Sequence, residues 1–259
     1  MFDFSTIGVA DILPFILVGF GAQIVDGALG MAFGVLTQTM LVSVLGVPPA
    51  SASASVHLVE LFTTGASGGS HIFHRNVNWK LFWRLAPTGI LGGAAGAYLL
   101  SNIDASAAKP FVMMYLAGIG IYLGYKALRF NTAPHFKDPL MTAPLAAVGG
   151  FLDAAGGGGW GPVVTSNLLV QGGDPRATVG TVNTAEFLVT LTISATFLFT
   201  LGLSAFTHAV IGLIIGGVIA APFGAYFAKR LHPRALLGAV ATLLIATSIF
   251  TIYRSWPIF

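Results

Sequence analysis

The chain has 259 residues, of which 55% are hydrophobic and 8% are charged. Because soluble domains carry about 25% charged residues, this composition predicts an integral membrane protein and excludes a water-soluble enzyme, a nucleic-acid-binding protein and a disordered regulator. The formal net charge of +3 comes from 12 basic residues scattered through connecting segments, and the chain has no cysteine, so we expect no basic binding surface, no thiolate metal site and no bound cofactor.

Ten apolar segments follow one another along the chain, separated by polar or turn-rich residues. Their residues do not alternate between apolar and polar, so we predict helices and an all-α polytopic membrane protein. Two short segments flank the run Gly156-Gly157-Gly158-Gly159, which predicts broken or re-entrant helices there. The predicted segments are residues 7–25, 29–46, 51–70, 82–100, 110–128, 140–154, 158–171, 177–201, 206–228 and 234–253.

The chain contains an internal repeat. The segment GAQIVDGALGMAFGV resembles VGGFLDAAGGGGWGP and places Asp26 on Asp153, an offset of 127 residues. Further along, an offset of 126 places Glu60 on Glu186. Each copy holds five segments, so we predict a first transmembrane repeat over residues 1–128, a cytoplasmic linker over 129–138 and a second transmembrane repeat over 139–259.

The distribution of basic residues predicts that the two copies have opposite orientations. Five segments are an odd number, so the second copy starts on the other side of the membrane. Basic residues follow the third segment of the first copy, at 75–84, and the fourth segment of the second copy, at 229–234. Since Lys and Arg favour the cytoplasmic side, matching loops face opposite sides, and both termini are predicted to be extracytoplasmic.

Four acidic residues lie inside predicted helical segments. They form two repeat-related pairs, Asp26 with Asp153 and Glu60 with Glu186, and the cost of burying charge in lipid predicts that they face a cavity. Each Asp is placed to cap the half-helix after it; carrying a proton or shaping the substrate site is the functional alternative, which is compatible with capping. Each Glu is either a buried helix-packing residue or a coupling residue. His57, three residues before Glu60, is a candidate proton relay, and its counterpart is an asparagine.

Polar and glycine residues near the two breaks are the candidate substrate ligands. Backbone N–H groups at the start of a half-helix can bind an anion, although glycines can also serve only to let helices cross closely. The predicted substrate-binding residues are Gln23, Gly27, Gly30, Gly156, Gly157, Gly158, Gly159, Asn167, Thr181 and Asn183.

These motifs resemble the TauE/SafE family of membrane permeases, often called sulfite exporters. The resemblance rests on GAQIVDGALGMAFG and GGFLDAAGGGGWGP, followed by GVPPAS at Gly46 and GGDPRATVGTVNTAEF at Gly172, and it covers nearly the whole chain. The first copy departs from the glycine cluster of the second at Leu29, Met31 and Ala32. The resemblance implies transport of sulfite, sulfonates or related small sulfur-containing anions.

The sequence therefore predicts a secondary transporter with two inverted repeats, which works by alternating access at a midplane site. Coupling to protons is one expectation, multi-pass insertion in a bacterial inner membrane is another, and a homodimer is left open. An ion channel of the same architecture remains an alternative. A membrane-embedded enzyme is a further one, although the six histidines form no HExxH motif.

Overall fold

The computed structural model describes residues 9–29, 31–129, 141–171, 173–206, 209–228 and 233–255, and within these ranges the regular structure is entirely helical. The described ranges contain the α-helices α1 (Val9–Leu29), α2 (Phe33–Thr39), α3 (Pro49–Phe73), α4 (Trp79–Ser101), α5 (Ala105–Leu128), α6 (Thr142–Gly156), α7 (Ser166–Val170), α8 (Pro175–Leu201), α9 (Ala209–Ala228) and α10 (Pro233–Ser255).

Two half-helices follow the predicted breaks. A π-helical turn, Met40–Val44, continues α2, and the two together form the first half-helix, residues 33–44. A second π-helical turn, Trp160–Thr165, runs into α7 and forms the second half-helix, residues 160–170. Each of the ten predicted apolar segments thus lies on helical structure, which confirms the all-α prediction. The predicted linker lies outside the described residues except for Arg129.

Two of the described helices have the length and apolar character of a membrane span. Two stretches, Ala105–Leu128 and Ala177–Leu201, are long and apolar enough to span a bilayer by themselves. Large apolar side chains also lie on the outer surface, and Phe199 is 87% exposed. The described part of the chain therefore presents an apolar surface of the kind that contacts lipid tails.

Helices from the two halves of the chain pack in reciprocal pairs. Helix α1 packs against α9, and α4 packs against α6; α3 contacts α8, and α5 contacts α10. In repeat terms α1 corresponds to α6 and α4 to α9, so the first two contacts are the same contact made twice. Small residues allow the backbones to approach, because a Cβ atom added at Gly92 of α4 would clash with the carbonyl oxygen of Ala147.

This close contact gives a test of the helix packing. We expect Gly92→Ala to destabilise the protein by about 2–3 kcal/mol, because the added methyl group forces α4 away from α6. Gly118→Ala on α5 is the matched control, since a Cβ atom there meets nothing within 4 Å and alanine favours the helix. The thermal unfolding midpoints of the two variants in detergent decide the comparison. Equal midpoints would contradict the contact.

Candidate functional site

The second break is organised by Asp153. Its Oδ1 accepts hydrogen bonds from the backbone N–H of Gly159 at 2.6 Å and of Trp160 at 3.0 Å. These donors lie at the start of the second half-helix and have no partner within that helix. The capping role predicted for Asp153 is therefore confirmed.

Asp26 organises the first break in the same way. Its Oδ1 accepts from the N–H of Ala32 at 2.8 Å and of Phe33 at 3.1 Å. The offset of 127 residues that relates Asp26 to Asp153 also relates these two donors to Gly159 and Trp160. The repeat seen in the sequence is thus reproduced in the hydrogen bonds, and capping by Asp26 is confirmed as well.

The glycine run turns the chain sharply at the end of α6. Gly157 and Gly158 have φ values of +74° and +151°, a backbone conformation that glycine adopts readily. Their N–H groups both donate to the carbonyl oxygen of Asp153, at 2.7 and 3.0 Å. Together with Gly159, which donates to the carboxylate, these donors are already engaged. The anion contacts predicted for the N–H groups of Gly157, Gly158 and Gly159 are therefore not available in this conformation.

The two breaks touch each other through repeat-related contacts. A Cβ atom at Gly34 would lie 3.0 Å from the Cα of Gly158, and a Cβ atom at Gly161 would lie 3.0 Å from the Cα of Met31. The offset of 127 residues relates Gly34 to Gly161 and Met31 to Gly158, so the two contacts are repeat equivalents of each other. The starts of both half-helices therefore meet at one place in the molecule.

A cavity of about 280 Å³ lies at this crossing point. All four of the acidic residues singled out in the sequence line it, and so do both half-helix starts. Of the residues that line it, none is Lys or Arg. The lining residues are Gln23, Asp26, Met31, Ala32, Phe33, Gly34, Val35, Glu60, Thr63, Thr64, Ser67, Asp153, Gly158, Gly159, Gly161, Pro162, Asn183 and Glu186.

Glu60 combines burial with an unsatisfied carboxyl oxygen. It is 7% exposed, and its Oε2 has no hydrogen-bond partner among the described residues. Its Oε1 lies against Gly34, where a side chain would approach it within 3.0 Å. A buried carboxyl oxygen without a partner is costly, so Glu60 is free to bind a proton or a ligand in the cavity.

His57 pairs with Asp153 from the opposite half of the chain. The His57 Nε2 lies 3.2 Å from the Asp153 Oδ2, and both side chains are almost fully buried. The His57 Nδ1 lies 2.7 Å from the carbonyl oxygen of Ser53. A carbonyl oxygen only accepts hydrogen bonds, so the Nδ1 carries a proton and donates it to that bond.

This geometry fixes the charge of the pair. If Nδ1 is the donor to Ser53, a hydrogen bond between Nε2 and Oδ2 needs one further proton, carried by either the imidazole or the carboxyl group. In both arrangements the net charge of His57 and Asp153 together is zero. The candidate relay residue, His57, therefore contacts Asp153 across the repeat, and within the described ranges no hydrogen bond joins the His57 and Glu60 side chains.

The equivalent position in the second copy behaves differently. Asn183, the counterpart of His57, donates from its Nδ2 to the Ser67 hydroxyl at 2.9 Å. Asp26 consequently has no basic partner among the described residues that matches the one Asp153 has in His57. The two copies therefore share their caps but differ in how the charge of the capping Asp is balanced.

Several predicted ligands lie away from the cavity. Asn167 donates to the carbonyl oxygen of Val163 at 2.6 Å, and Thr181 donates to that of Ala177 at 2.6 Å. Each of these donors is already used by a backbone carbonyl one helical turn earlier. The Thr181 hydroxyl also accepts a hydrogen bond from the backbone N–H of Asn78 at 2.8 Å. Gly156 ends α6 and packs near the Tyr115 ring. Gly27 lies within α1, and Gly30 lies outside the described residues.

The hydroxyl groups on α3 are cavity residues that were not predicted from the sequence. Thr63, Thr64 and Ser67 line the cavity with Glu60, at spacings of three, four and seven residues. These are the spacings of one helix face, so helical periodicity starting from Glu60 contains the signal. The Thr64 hydroxyl also lies 3.5 Å from that of its repeat counterpart, Thr190.

Comparison with known proteins finds a matching family and a relative. A family model described as "Sulfite exporter TauE/SafE" matches residues 15–251. A protein of Bacillus subtilis (strain 168) named "Probable membrane transporter protein YtnM" is 40% identical over 253 residues, which cover 95% of this chain and 84% of that protein. No solved structure matches significantly.

Proposed function

The chain belongs to the TauE/SafE sulfite exporter family and is a multi-pass membrane transporter, and we propose that it carries a small sulfur-containing anion, such as sulfite or an organosulfonate, by alternating access. The observation that carries the proposal is the convergence of Asp26, Glu60, Asp153 and Glu186 on one cavity between two helix breaks. Intramembrane acidic residues gathered in this way are typical of substrate and proton pathways.

The proposal includes two inverted repeats, one on each side of the linker. It is supported by the reciprocal helix contacts, by the matching caps of Asp26 and Asp153, and by the contacts that exchange the two breaks. A site at the crossing of two broken helices is a common arrangement in transporters built from inverted repeats. With the basic loops in the cytoplasm, both termini lie outside a bacterial inner membrane.

The charges in the cavity favour proton coupling. An anion entering beside ionised carboxylates is repelled, and the lining offers no Lys or Arg to offset the repulsion. The neutral His57 and Asp153 pair leaves Asp26, Glu60 and Glu186 without a basic partner among the described residues. Protonation of these acids removes the repulsion, so the anion and at least one proton move together.

Hydroxyl and amide groups supply the remaining contacts to the anion. Ser67, Gln23 and Asn183 line the cavity with donor groups, and a protonated Glu60 adds another. Neutral donors bind an anion more weakly than a guanidinium group does. Weak binding suits a carrier, which must release its substrate on the far side of the membrane.

Transport in proteoliposomes tests this function. We expect labelled sulfite or a short sulfonate to accumulate when a pH gradient is imposed, to saturate with concentration and to exchange with unlabelled anion on the other side. Thiosulfate and sulfate complete the substrate panel. Flux that does not saturate and ignores the anion on the far side would instead support the channel alternative, and the absence of any anion flux would contradict the proposal.

A further inference from the structure

The cavity lining is symmetric at its centre and asymmetric at its edge. The acids and half-helix starts contribute from both copies, as the repeat requires. Gln23, Thr63, Ser67 and Asn183 line the cavity, but their counterparts at offsets of 127 or 126 residues do not. The cavity therefore extends from the crossing point to one side only.

The counterparts on the other side form a dry layer. Thr63 corresponds to Val189 and Ser67 corresponds to Ile193, and both of these apolar side chains are fully buried. Trp160, the counterpart of Phe33, is also fully buried. Three apolar side chains thus occupy the place where a second opening of the cavity would lie.

Helix α4 packs against these apolar side chains. A Cβ atom at Gly89 would lie 2.5 Å from the Trp160 ring, and one at Gly93 would lie 2.9 Å from Ile193. Helix α4 packs along α8 over a long stretch, whereas its counterpart α9 touches α3 over a much shorter one within the described ranges. The same interface of the repeat is therefore closed in one copy and loosened in the other.

We propose that Thr63, Ser67 and Asn183 line the open entry path of the transporter, and that Trp160, Val189 and Ile193 form its closed gate. The inference rests on the proposed alternating-access function. With the basic loop after α3 in the cytoplasm, Ser67 lies on the cytoplasmic side, and the structure is the inward-open state.

The chemistry of the two paths is fixed by the sequence and does not change with conformation. The polar side chains of the open entry path hold water readily. The apolar side chains of the closed gate are stabilised when they exclude water. The outer gate is consequently the one that closes more stably. We infer that the transporter without substrate rests in the inward-open state.

Single cysteines test the gate directly, because the natural chain contains none. We expect Ser67→Cys to react with a membrane-impermeant maleimide added from the cytoplasmic side at least tenfold faster than Ile193→Cys reacts from either side. Asn102→Cys, at the exposed end of α4, is the labelling control for the opposite side. Equal rates at positions 67 and 193 would overturn the inference.

A second variant asks whether apolar packing holds the gate shut. We expect Ile193→Ser, which copies the residue of the open path, to raise labelling of a Val189→Cys reporter from the extracytoplasmic side at least fivefold. Thr190→Ala, which removes the hydroxyl of the residue beside the reporter, is the matched control on α8 and should leave the rate unchanged. Size-exclusion chromatography checks that the Ile193→Ser protein is folded. An unchanged labelling rate of the Val189→Cys reporter in that folded protein would contradict the gate.

The labelling experiment tests the gate, and the transport experiment tests the proposed substrate, so either proposal can be contradicted without the other. Labelling needs no substrate, so the expected protection pattern together with no anion flux would support the gate and contradict the proposed substrate. Anion flux together with equal labelling of positions 67 and 193 would support the transporter and overturn the gate.

Discussion

We expect Asp153→Ala to lower the thermal unfolding midpoint by about 10 °C and Asp153→Asn to lower it very little. Alanine leaves the buried N–H groups of Gly159 and Trp160 without an acceptor, and each such loss costs about 1–3 kcal/mol. It also removes the partner of His57. The sum is about 4 kcal/mol, which converts to the stated shift for a chain of this size.

Asparagine keeps every one of these hydrogen bonds. Its Oδ1 can accept from the same two N–H groups, and its Nδ2 can donate to the Nε2 of a neutral His57, whose Nδ1 still donates to Ser53. The substitution removes only the extra proton that the pair holds. Asp153→Asn therefore separates the structural role of the side chain from its proton.

The repeat supplies the control for this experiment. Asp26 makes the same cap in the first copy, but it is only half-buried and has no histidine partner. We therefore expect Asp26→Ala to cost about 1–2 kcal/mol, the usual cost of losing a helix cap, because no histidine contact is lost with it. Differential scanning fluorimetry in detergent measures all three variants. A smaller loss for Asp153→Ala than for Asp26→Ala would contradict the account of the second break.

The local part of the site could be predicted from the sequence. A carboxylate just before a glycine break is placed to cap the next helix, because the free N–H groups lie six and seven residues further on in both copies. The repeat also predicts that Glu60 and Glu186 lie in equivalent places. These statements depend on short-range geometry and on the offset, and both can be read from a single chain.

The long-range part could not be predicted in this way. The contact between His57 and Asp153 joins residues 96 positions apart, and no spacing rule specifies it. The glycine N–H groups were expected to face an anion, but the turn after α6 directs them to Asp153 instead. The gate depends on how α4 packs on α8, which the repeat alone would make symmetric. Tertiary packing decides each of these points.

Glu60→Gln is expected to have the largest effect on transport. Glutamine has nearly the same shape as glutamate and remains neutral, so it cannot release a proton on the cytoplasmic side. We expect accumulation driven by a pH gradient to fall at least about tenfold, while exchange of labelled for unlabelled anion across the membrane continues. Exchange persists because it needs a neutral cavity but no net proton movement.

The matched variant is Glu186→Gln, in the second copy. Glu186 is half-buried, whereas Glu60 is 93% buried and has an unpartnered Oε2, so Glu60 has fewer alternatives to holding a proton. We therefore expect the loss of driven accumulation to be greater for Glu60→Gln. Paired uptake and exchange assays in the same vesicles measure the ratio for each variant.

Each outcome of this comparison identifies a different role. Loss of both driven uptake and exchange in Glu60→Gln would show that Glu60 binds the anion or shapes its site rather than coupling protons. Unchanged driven uptake in both variants would remove Glu60 and Glu186 from the coupling mechanism and leave Asp26 as the remaining cavity acid without a basic partner among the described residues. Selective loss of driven uptake follows only if a carboxyl group in this cavity gives up its proton during each transport cycle.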